Sequence, residues 1–361
     1  MNRQALIDKL SLAQPALASN NILQILTHFW FDGGTVRAFN ARIGIRVKLD
    51  ENPGVLGCVP GNTILGLLKS SSAKDIILKE EKGWVHLKTK VMDAKLSMLP
   101  LEGAEQAWDL KEPIDTAKWL GVRANILVPA LIKCLPSTTD DTSIPDQLGV
   151  TFIPDLDGGG MELYATNDNT ITKVRIEGGK LRQRAILSAE FCRQVVALCN
   201  ADSDKNLAIE IRDTQATLVM DDTTLYGKLI LSEKPVAFHK IVNGLFTEKT
   251  EKQLIDIPKF LPAALERSLI MAAAGEGEAR MTITCKNNRF SCVTSAHVGQ
   301  DTIGTVHDSI DSCHPDVSAI LNPKDMLPAL EFYNKMLVTD GALIMTDGAD
   351  ATFLVATMVP S

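Results

Sequence analysis

The chain has 361 residues, 45% hydrophobic and 22% charged, with 24 Gly and 16 Pro, a composition that fits a globular protein with ample core and excludes a disordered or collagen-like one. Its formal net charge is −7, the wrong sign for a protein that grips nucleic acid with a basic face, so any DNA role has to account for it. No apolar run approaches the ~18 residues of a membrane span, the amphipathic start MNRQALIDKL does not read as a signal peptide, and the seven scattered cysteines suit buried thiols in a reducing cytoplasm better than a disulfide framework.

A helical segment, RQALIDKLSLAQPAL, opens the chain. FWFDGGTVRAFNARIGIRVKL follows as strand, tight turn at Asp32-Gly33-Gly34, strand, polar break at Asn40, strand. A second helical segment, VPGNTILGLLKSS, leads to the strand pair DIILKEEKGWVHLKTK, turning at Glu81-Lys82-Gly83. The order then repeats. RANILVPALIKCLPS carries an apolar stripe of Ile126, Leu127, Ala130, Leu131, Cys134 and Leu135, with Lys133 off it. TFIPDLDGGGMELYATNDNTITKVRI turns at Gly158-Gly159-Gly160 and breaks at Thr166. LSAEFCRQVVALCN has Ser188 as its expected N-cap, with Phe191, Val195 and Leu198 inward and Arg193 and Gln194 outward. LAIEIRDTQATLVMD is its strand pair, turning at Asp213-Thr214-Gln215.

A third pass runs through PKFLPAALERSLIMA, MTITCKNNRFSCVTSAHVGQDTIGTV with a turn at Asn287-Asn288 and a break at Thr294, LNPKDMLPALEFYN, and ALIMTDGADATFLVATM. The polar break recurs after 126 and then 128 residues. Pro129 and Pro262 fit best in first helical turns, so those helices are expected to start late. The reading is an α+β chain of three similar domains, 1–115, 116–245 and 246–361, each of antiparallel sheets with two short helices.

Motifs for chemistry are missing. Neither a phosphate-cradling glycine loop, nor H-E-x-x-H, nor G-x-S-x-G occurs. His307, Cys313 and His314 form the one tight group of metal-ligand types, at a spacing that fits no common zinc pattern. Asp155 and Asp157 before glycines lack the remaining acids of a calcium loop and read as a hairpin turn. No catalytic residue, metal or cofactor is expected, and the chain does not read as an enzyme.

From end to end the sequence resembles the bacterial-type DNA sliding clamp, the beta subunit of the replicative DNA polymerase. VPGNTILGLLKSSSAKDIILKEEKGWVHLKTKVMDAKLSMLPLE looks like the second half of that family's first domain. ELYATNDNTIT sits where the family has a strand ending in A-T-D-G-x-R-L, FLPAALERSLIMA resembles the opening helix of its third domain, and ATFLVATMVPS its last strand. The resemblance implies a ring-forming fold of three domains per chain and a head-to-tail homodimer around double-stranded DNA. It also implies binding of DNA polymerase and a clamp loader, no membrane association and a cytoplasmic place of work. A structural ring that never encircles DNA, or a hydrolase with an unrecognised site, is the alternative.

The charge fits that picture. The helical stretches 3–17, 59–74, 116–137, 187–200, 258–272 and 321–335 carry +7 and the remainder −14, so helices lining a hole would make it mildly basic inside an acidic exterior. Topological encirclement needs no tight phosphate grip, and weak screened contacts allow sliding. The candidates for the hole are Lys9, Lys69, Lys74, Arg123, Lys133, Arg193, Lys259 and Lys324; any of them could equally be a solvated helix face. The resemblance also makes the polar break of the second domain one wall of a groove for a short peptide from polymerase and loader. By position the groove comprises Leu148, Thr166, Asn167, Asp168, Asn169, Thr170, Ile171, Val242, Arg267, Val355, Met358, Val359 and Pro360. On its own the break simply turns the chain. Two departures stand out: Asn167-Asp168 replaces Asp-Gly with Thr170 at the Arg position, and the tail ends Met358-Val359-Pro360-Ser361 with no basic residue. Such drift fits a divergent member of the family, a viral one included.

Overall fold

The computed structural model describes residues 1–19, 23–113, 119–140, 144–155, 159–179, 181–199, 201, 203–245, 253–276, 279–287, 289–298, 301–311, 317–339, 341–348 and 350–356. The chain separates into two compact units, Met1–Val128 with Leu187–Leu231, and Pro129–Ile186 with Ser232–Ser361.

One element order is run through three times. The first pass is α1 (Arg3–Ala13), β1 (His28–Asp32), β2 (Thr35–Phe39), β3 (Ile43–Lys48), β4 (Leu56–Pro60), α2 (Gly61–Ser70), β5 (Ile77–Glu81), β6 (Trp84–Lys88), β7 (Asp93–Ser97) and α3 (Leu101–Ala107). The second is β8 (Trp119–Arg123), α4 (Ala124–Cys134), β9 (Gly149–Pro154), β10 (Met161–Thr166), β11 (Thr170–Ile176), β12 (Ala185–Ser188), α5 (Ala189–Leu198), β13 (Asn206–Ile211), β14 (Gln215–Met220), β15 (Thr223–Lys228) and α6 (Phe238–Leu245). The third is β16 (Ile255–Asp256), α7 (Leu261–Ala273), β17 (Met281–Lys286), β18 (Arg289–Val298), β19 (Asp301–Asp311), β20 (Val317–Leu321), α8 (Pro323–Met326), β21 (Lys335–Val338), β22 (Ala342–Thr346) and β23 (Ala351–Ala356). In every pass the four strands that follow the first helix lie in the order fourth, first, second, third.

In the first unit an eight-stranded antiparallel sheet runs β4-β1-β2-β3-β15-β14-β13-β8, beside a three-stranded sheet β5-β6-β7. The seam is the β3–β15 ladder, with Ile45 opposite Leu225 and Gly44 opposite Tyr226. Glycine is needed on both sides of it. A Cβ on Gly227 would stand 2.4 Å from Phe191 Cδ2, and one on Gly44 2.6 Å from Leu110 Cδ1. Trp30, Phe39, Trp108 and Tyr226 pack edge-on across this seam, with centroids 5.2–6.4 Å apart.

The second unit repeats the scheme with β12-β9-β10-β11-β23-β22-β21-β16, beside the four-stranded β19-β18-β17-β20. Its seam is β11–β23, with Thr170 opposite Val355 and Val174 opposite Ala351. Helix α7 covers β18 and β19 through buried Leu261, Ala264, Leu265 and Ser268.

The elements agree with the sequence expectation in kind and their ends differ for local reasons, except that the break expected at Thr294 does not occur: Thr294 is buried inside β18, paired with Met281 and Val306. Ser188 Oγ accepts the Phe191 N–H at 3.2 Å, capping α5 as expected. Phe191 and Val195 of α5 are buried and Arg193 exposed, while Leu198 and Gln194 are only half-buried. Pro262 is in the first turn of α7, but Pro129 lies inside α4, which starts at Ala124. That helix therefore forgoes one backbone hydrogen bond instead of starting late. Pro15 and Pro136 end their helices in 3-10 turns, and Pro328 leaves α8 one turn long. Gly158 and Asn288, expected in turns, lie outside the described residues.

Candidate functional site

The polar break of the second pass is a three-residue turn, Asn167–Asn169, between β10 and β11. Its geometry is set by one side chain: Asn167 Oδ1 accepts the Asn169 N–H at 2.9 Å, the Thr170 N–H at 2.7 Å and the Thr170 hydroxyl at 3.0 Å. Thr166 and Thr170, at the strand ends, are buried, and the Thr166 hydroxyl donates to Thr170 O at 2.9 Å. Ser137 Oγ joins Thr170 at 3.0 Å and Thr172 at 2.7 Å. Asp168 is exposed at the tip and accepts from Gln147 Nε2 at 3.1 Å. Asn40 shapes the corresponding turn of the first pass the same way, accepting the Arg42 and Ile43 N–H groups.

Beside this turn lies an apolar cluster. Tyr164, Phe238, Val242, Leu337, Ile344 and Leu354 are buried in it, and Ile153, Ile171, Val236, Leu245 and Leu254 remain partly open around it. The cluster draws on the β10–β11 hairpin, α6 and the last strands of the chain. Ala356 N–H donates to Asn169 O at 2.8 Å, so the C-terminal strand ends at the turn itself. Of the expected groove residues, Ile171 and Val242 belong to this cluster. Val355 is buried opposite Thr170, and Leu148 is half-buried just before β9. Arg267 is on α7, where its Nε and Nη2 donate to Asp308 at 3.2 and 2.5 Å. Met358, Val359 and Pro360 lie outside the described residues.

A polar network borders the cluster. Tyr164 stacks on Phe238 with centroids 4.9 Å apart, and its hydroxyl donates to Glu162 at 2.8 Å. Glu162 also pairs with Lys173 at 2.7 Å and with His239 at 3.3 Å. Burial, reinforced by the Glu162 charge, pushes the Tyr164 hydroxyl well above the usual phenol range. Asp146, buried, holds Arg184, Ser232 and the Val236 N–H, which fixes the approach to α6. None of this network appeared among the expected site residues. The readable signal was FHKIVNGL, whose apolar residues 238, 241, 242 and 245 have helical spacing.

The expected DNA-facing residues fall into two groups. Lys69, Lys74, Arg193, Lys259 and Lys324 are exposed, and so is Arg123, whose guanidinium is 4.0 Å from Asp204. Lys9 and Lys133 are instead half-buried and held. Lys9 Nζ is 3.0 Å from Asp222 and 3.2 Å from Asp50, and the Asp222 hydrogen bond raises its pKa against the opposing effect of burial. Lys133 Nζ is 2.7 Å from Asp347.

Cys58, Cys134, Cys192, Cys199, Cys285 and Cys292 are buried thiols. Burial pushes the Cys58 and Cys292 thiols up to about 12 and Cys199 to about 11, where thiolate chemistry is suppressed. Among the described residues no group of three His, Cys, Asp or Glu could hold a metal ion; Cys313 and His314 lie outside them. No described helix is long and apolar enough to cross a membrane.

No protein-family model and no curated protein matches the chain. Solved structures do, along its whole length. The DNA polymerase III beta subunit of Thermotoga maritima matches with TM-score 0.82 at 17% identity, covering 100% of this chain and 99% of that one. The beta subunit from the DNA polymerase of Streptococcus pyogenes gives 0.81 at 15%, with 100% and 99% covered. The DNA polymerase sliding clamp of Bacillus subtilis gives 0.82 at 12%, with 100% and 98% covered. The chain has the fold of these sliding clamps.

Proposed function

We propose that the chain is a DNA sliding clamp: two copies close head to tail into a ring around duplex DNA, and the ring tethers DNA polymerase. It performs no chemistry of its own and needs an ATP-driven loader to open. Each chain supplies three domains, 1–115, 116–245 and 246–361, and the ring works in the cytoplasm.

The observation that carries this reading is the pairing of the sheets. The third strand after the first helix is β3 in the first pass, extended by β15, and β11 in the second, extended by β23. Counting forward, the third pass offers β19 and the first offers β7. Among the described residues each is an edge strand with one neighbour. Edge strands left open invite pairing with another chain, and a head-to-tail contact that closes gives a ring. Transferring the register of the other two seams sets Val306 opposite Leu96 and Ile310 opposite Met92 of a second chain. Ile310 is 44% and Val91 90% exposed, which suits apolar surfaces awaiting cover.

The half-covered cluster beside Asn167–Asn169 is the peptide groove. Ile171, Val242, Leu148 and Val355 supply its apolar floor, and Met358, Val359 and Pro360 are assigned to it by their place in the sequence. An extended peptide anchor needs an apolar slot with a few polar rims. Arg267, on α7, belongs to a different neighbourhood. The exposed Lys69, Lys74, Arg123, Arg193, Lys259 and Lys324 are the phosphate contacts, few enough for sliding.

Retention on nicked circular DNA tests the reading. The protein should stay on the circle and be lost once it is linearised; retention that survives linearisation, or none on the circle, overturns encirclement. Val242→Asp, or charged residues at Met358 and Pro360, should abolish polymerase binding while the dimer persists. Polymerase binding unchanged in both variants would remove the groove assignment.

A further inference from the structure

The first helices of the three passes align by the spacing of their buried residues: Leu6, Ile7 and Leu10 in α1; Ala130, Leu131 and Cys134 in α4; Ala264, Leu265 and Ser268 in α7. That alignment puts Lys9, Lys133 and Arg267 at one position. The first two do the same job. Lys9 binds the carboxylate of Asp222, in the turn joining β14 to β15. The carbonyl of that same Asp222 accepts the Lys48 N–H at 2.8 Å, at the end of the β3–β15 ladder. Lys133 binds Asp347, in the turn joining β22 to β23. In that turn Asp350 O accepts the Arg175 N–H at 2.7 Å, at the end of the β11–β23 ladder. In both seams a helix of one pass is fastened to the last turn of the next, across the strands that join them.

The third pass breaks the pattern. Arg267 is taken by Asp308 on its own β19. The turn that would face it from a second chain joins β6 to β7 and carries Lys90 and Val91. Counted from the closing pairs, Met220 with Thr223 in one hairpin and Thr89 with Met92 in the other, Val91 stands where Asp222 stands. A base and an exposed valine replace the acid.

We propose that Lys9 and Lys133 are locks on the two seams within a chain, and that the seam between chains is built without one, because Val91 replaces the acid and Asp308 diverts Arg267. The second half of the proposal rests on the two-chain ring proposed above. The partner is a second copy of this chain, met edge to edge through β7 and β19. Hydrogen bonds and apolar contacts hold that junction, so it opens before the other two and responds little to salt, since screening acts on charge pairs. Lys9 and Lys133 thereby act on positioning and leave phosphate binding to the exposed lysines and arginines.

Two measurements test it. In the first, Val91→Asp places an acid against Arg267, and subunit exchange between labelled dimers should slow by roughly three- to tenfold at low salt, with the difference erased in molar salt. Exchange that is unchanged or faster overturns the missing lock while leaving the ring reading intact. In the second, Lys133→Met should speed amide hydrogen exchange at residues 170–174 and 351–355 by a similar factor, Lys133→Arg should restore it, and the β5–β7 amides should not respond. Exchange equal to the unmutated protein overturns the lock within the chain. A protein that stays monomeric at all concentrations overturns the ring reading and the Val91 half with it, and the Lys133 measurement still decides the other half.

Discussion

His28 shows how much one buried nitrogen can dictate. Its Nδ1 lies 2.8 Å from Gln24 O, and its Nε2 is buried with no partner among the described residues. A proton on Nε2 would be a buried, unpaired charge, and burial accordingly holds the ring's pKa below its ordinary 6.5. The unfolded chain therefore binds this proton first. Stability is complete above that ordinary value and is lost as pH falls below it. Urea denaturation at stepped pH should show this loss, at no more than about 1.4 kcal/mol per pH unit for one proton, and His28→Gln should flatten it. At the same scale, Asn167→Ala removes three hydrogen bonds from the β10–β11 turn. It should cost about 1–3 kcal/mol in urea denaturation and weaken binding of a polymerase peptide to the proposed groove in titration calorimetry, because Asp168 is the tip of that turn and Ile171 follows it.

At the level of elements, the seams are where packing is least tolerant. Gly227 has Phe191 against it, and a methyl at that position would stand 2.4 Å from the ring. Gly227→Ala should destabilise the protein by about 1–3 kcal/mol through overpacking, read as a lower urea midpoint. Ile310→Asp puts a charge on the outer strand β19, and light scattering should then find single chains at concentrations where the proposed ring would form from the unmutated protein. Much of this level was legible in sequence. Alternation and turn residues marked the strands, and the Ser188 cap marked α5. Pro129 was misread because a first-turn rule was applied to a residue that tertiary packing keeps in mid-helix. Helix α6 was passed over because it is short and follows a polar loop, although Phe238 and Val242 already carried its spacing.

For the molecule as a whole, the threefold recurrence was the strongest signal in the sequence. The order of elements carried it, and the breaks at Asn40 and Thr166 mark hairpin turns, but Thr294 lies inside β18, which runs on to Val298. Contacts between distant residues were not legible. Nothing local in Lys9 says that Asp222 will neutralise it, nor in Arg267 that Asp308 will, so basic residues on one helix position looked alike and free. In the proposed clamp, the charge offered to DNA is thus smaller than a count of lysines suggests. Binding to a linear duplex should be weak, with a shallow logarithmic dependence on salt, while residence on a closed circle persists; a steep dependence would mean that the held lysines reach phosphate after all.

The eight-stranded sheet of the first unit couples strands far apart in sequence. Ile43–Lys48 waits for Thr223–Lys228, so synthesis leaves an adhesive border bare until some 180 residues more have emerged. The stretch that was duplicated is therefore not the stretch that folds alone. A fragment ending at residue 115 should stick to itself or to a chaperone, and slow refolding set by loop closure should accompany the intact chain.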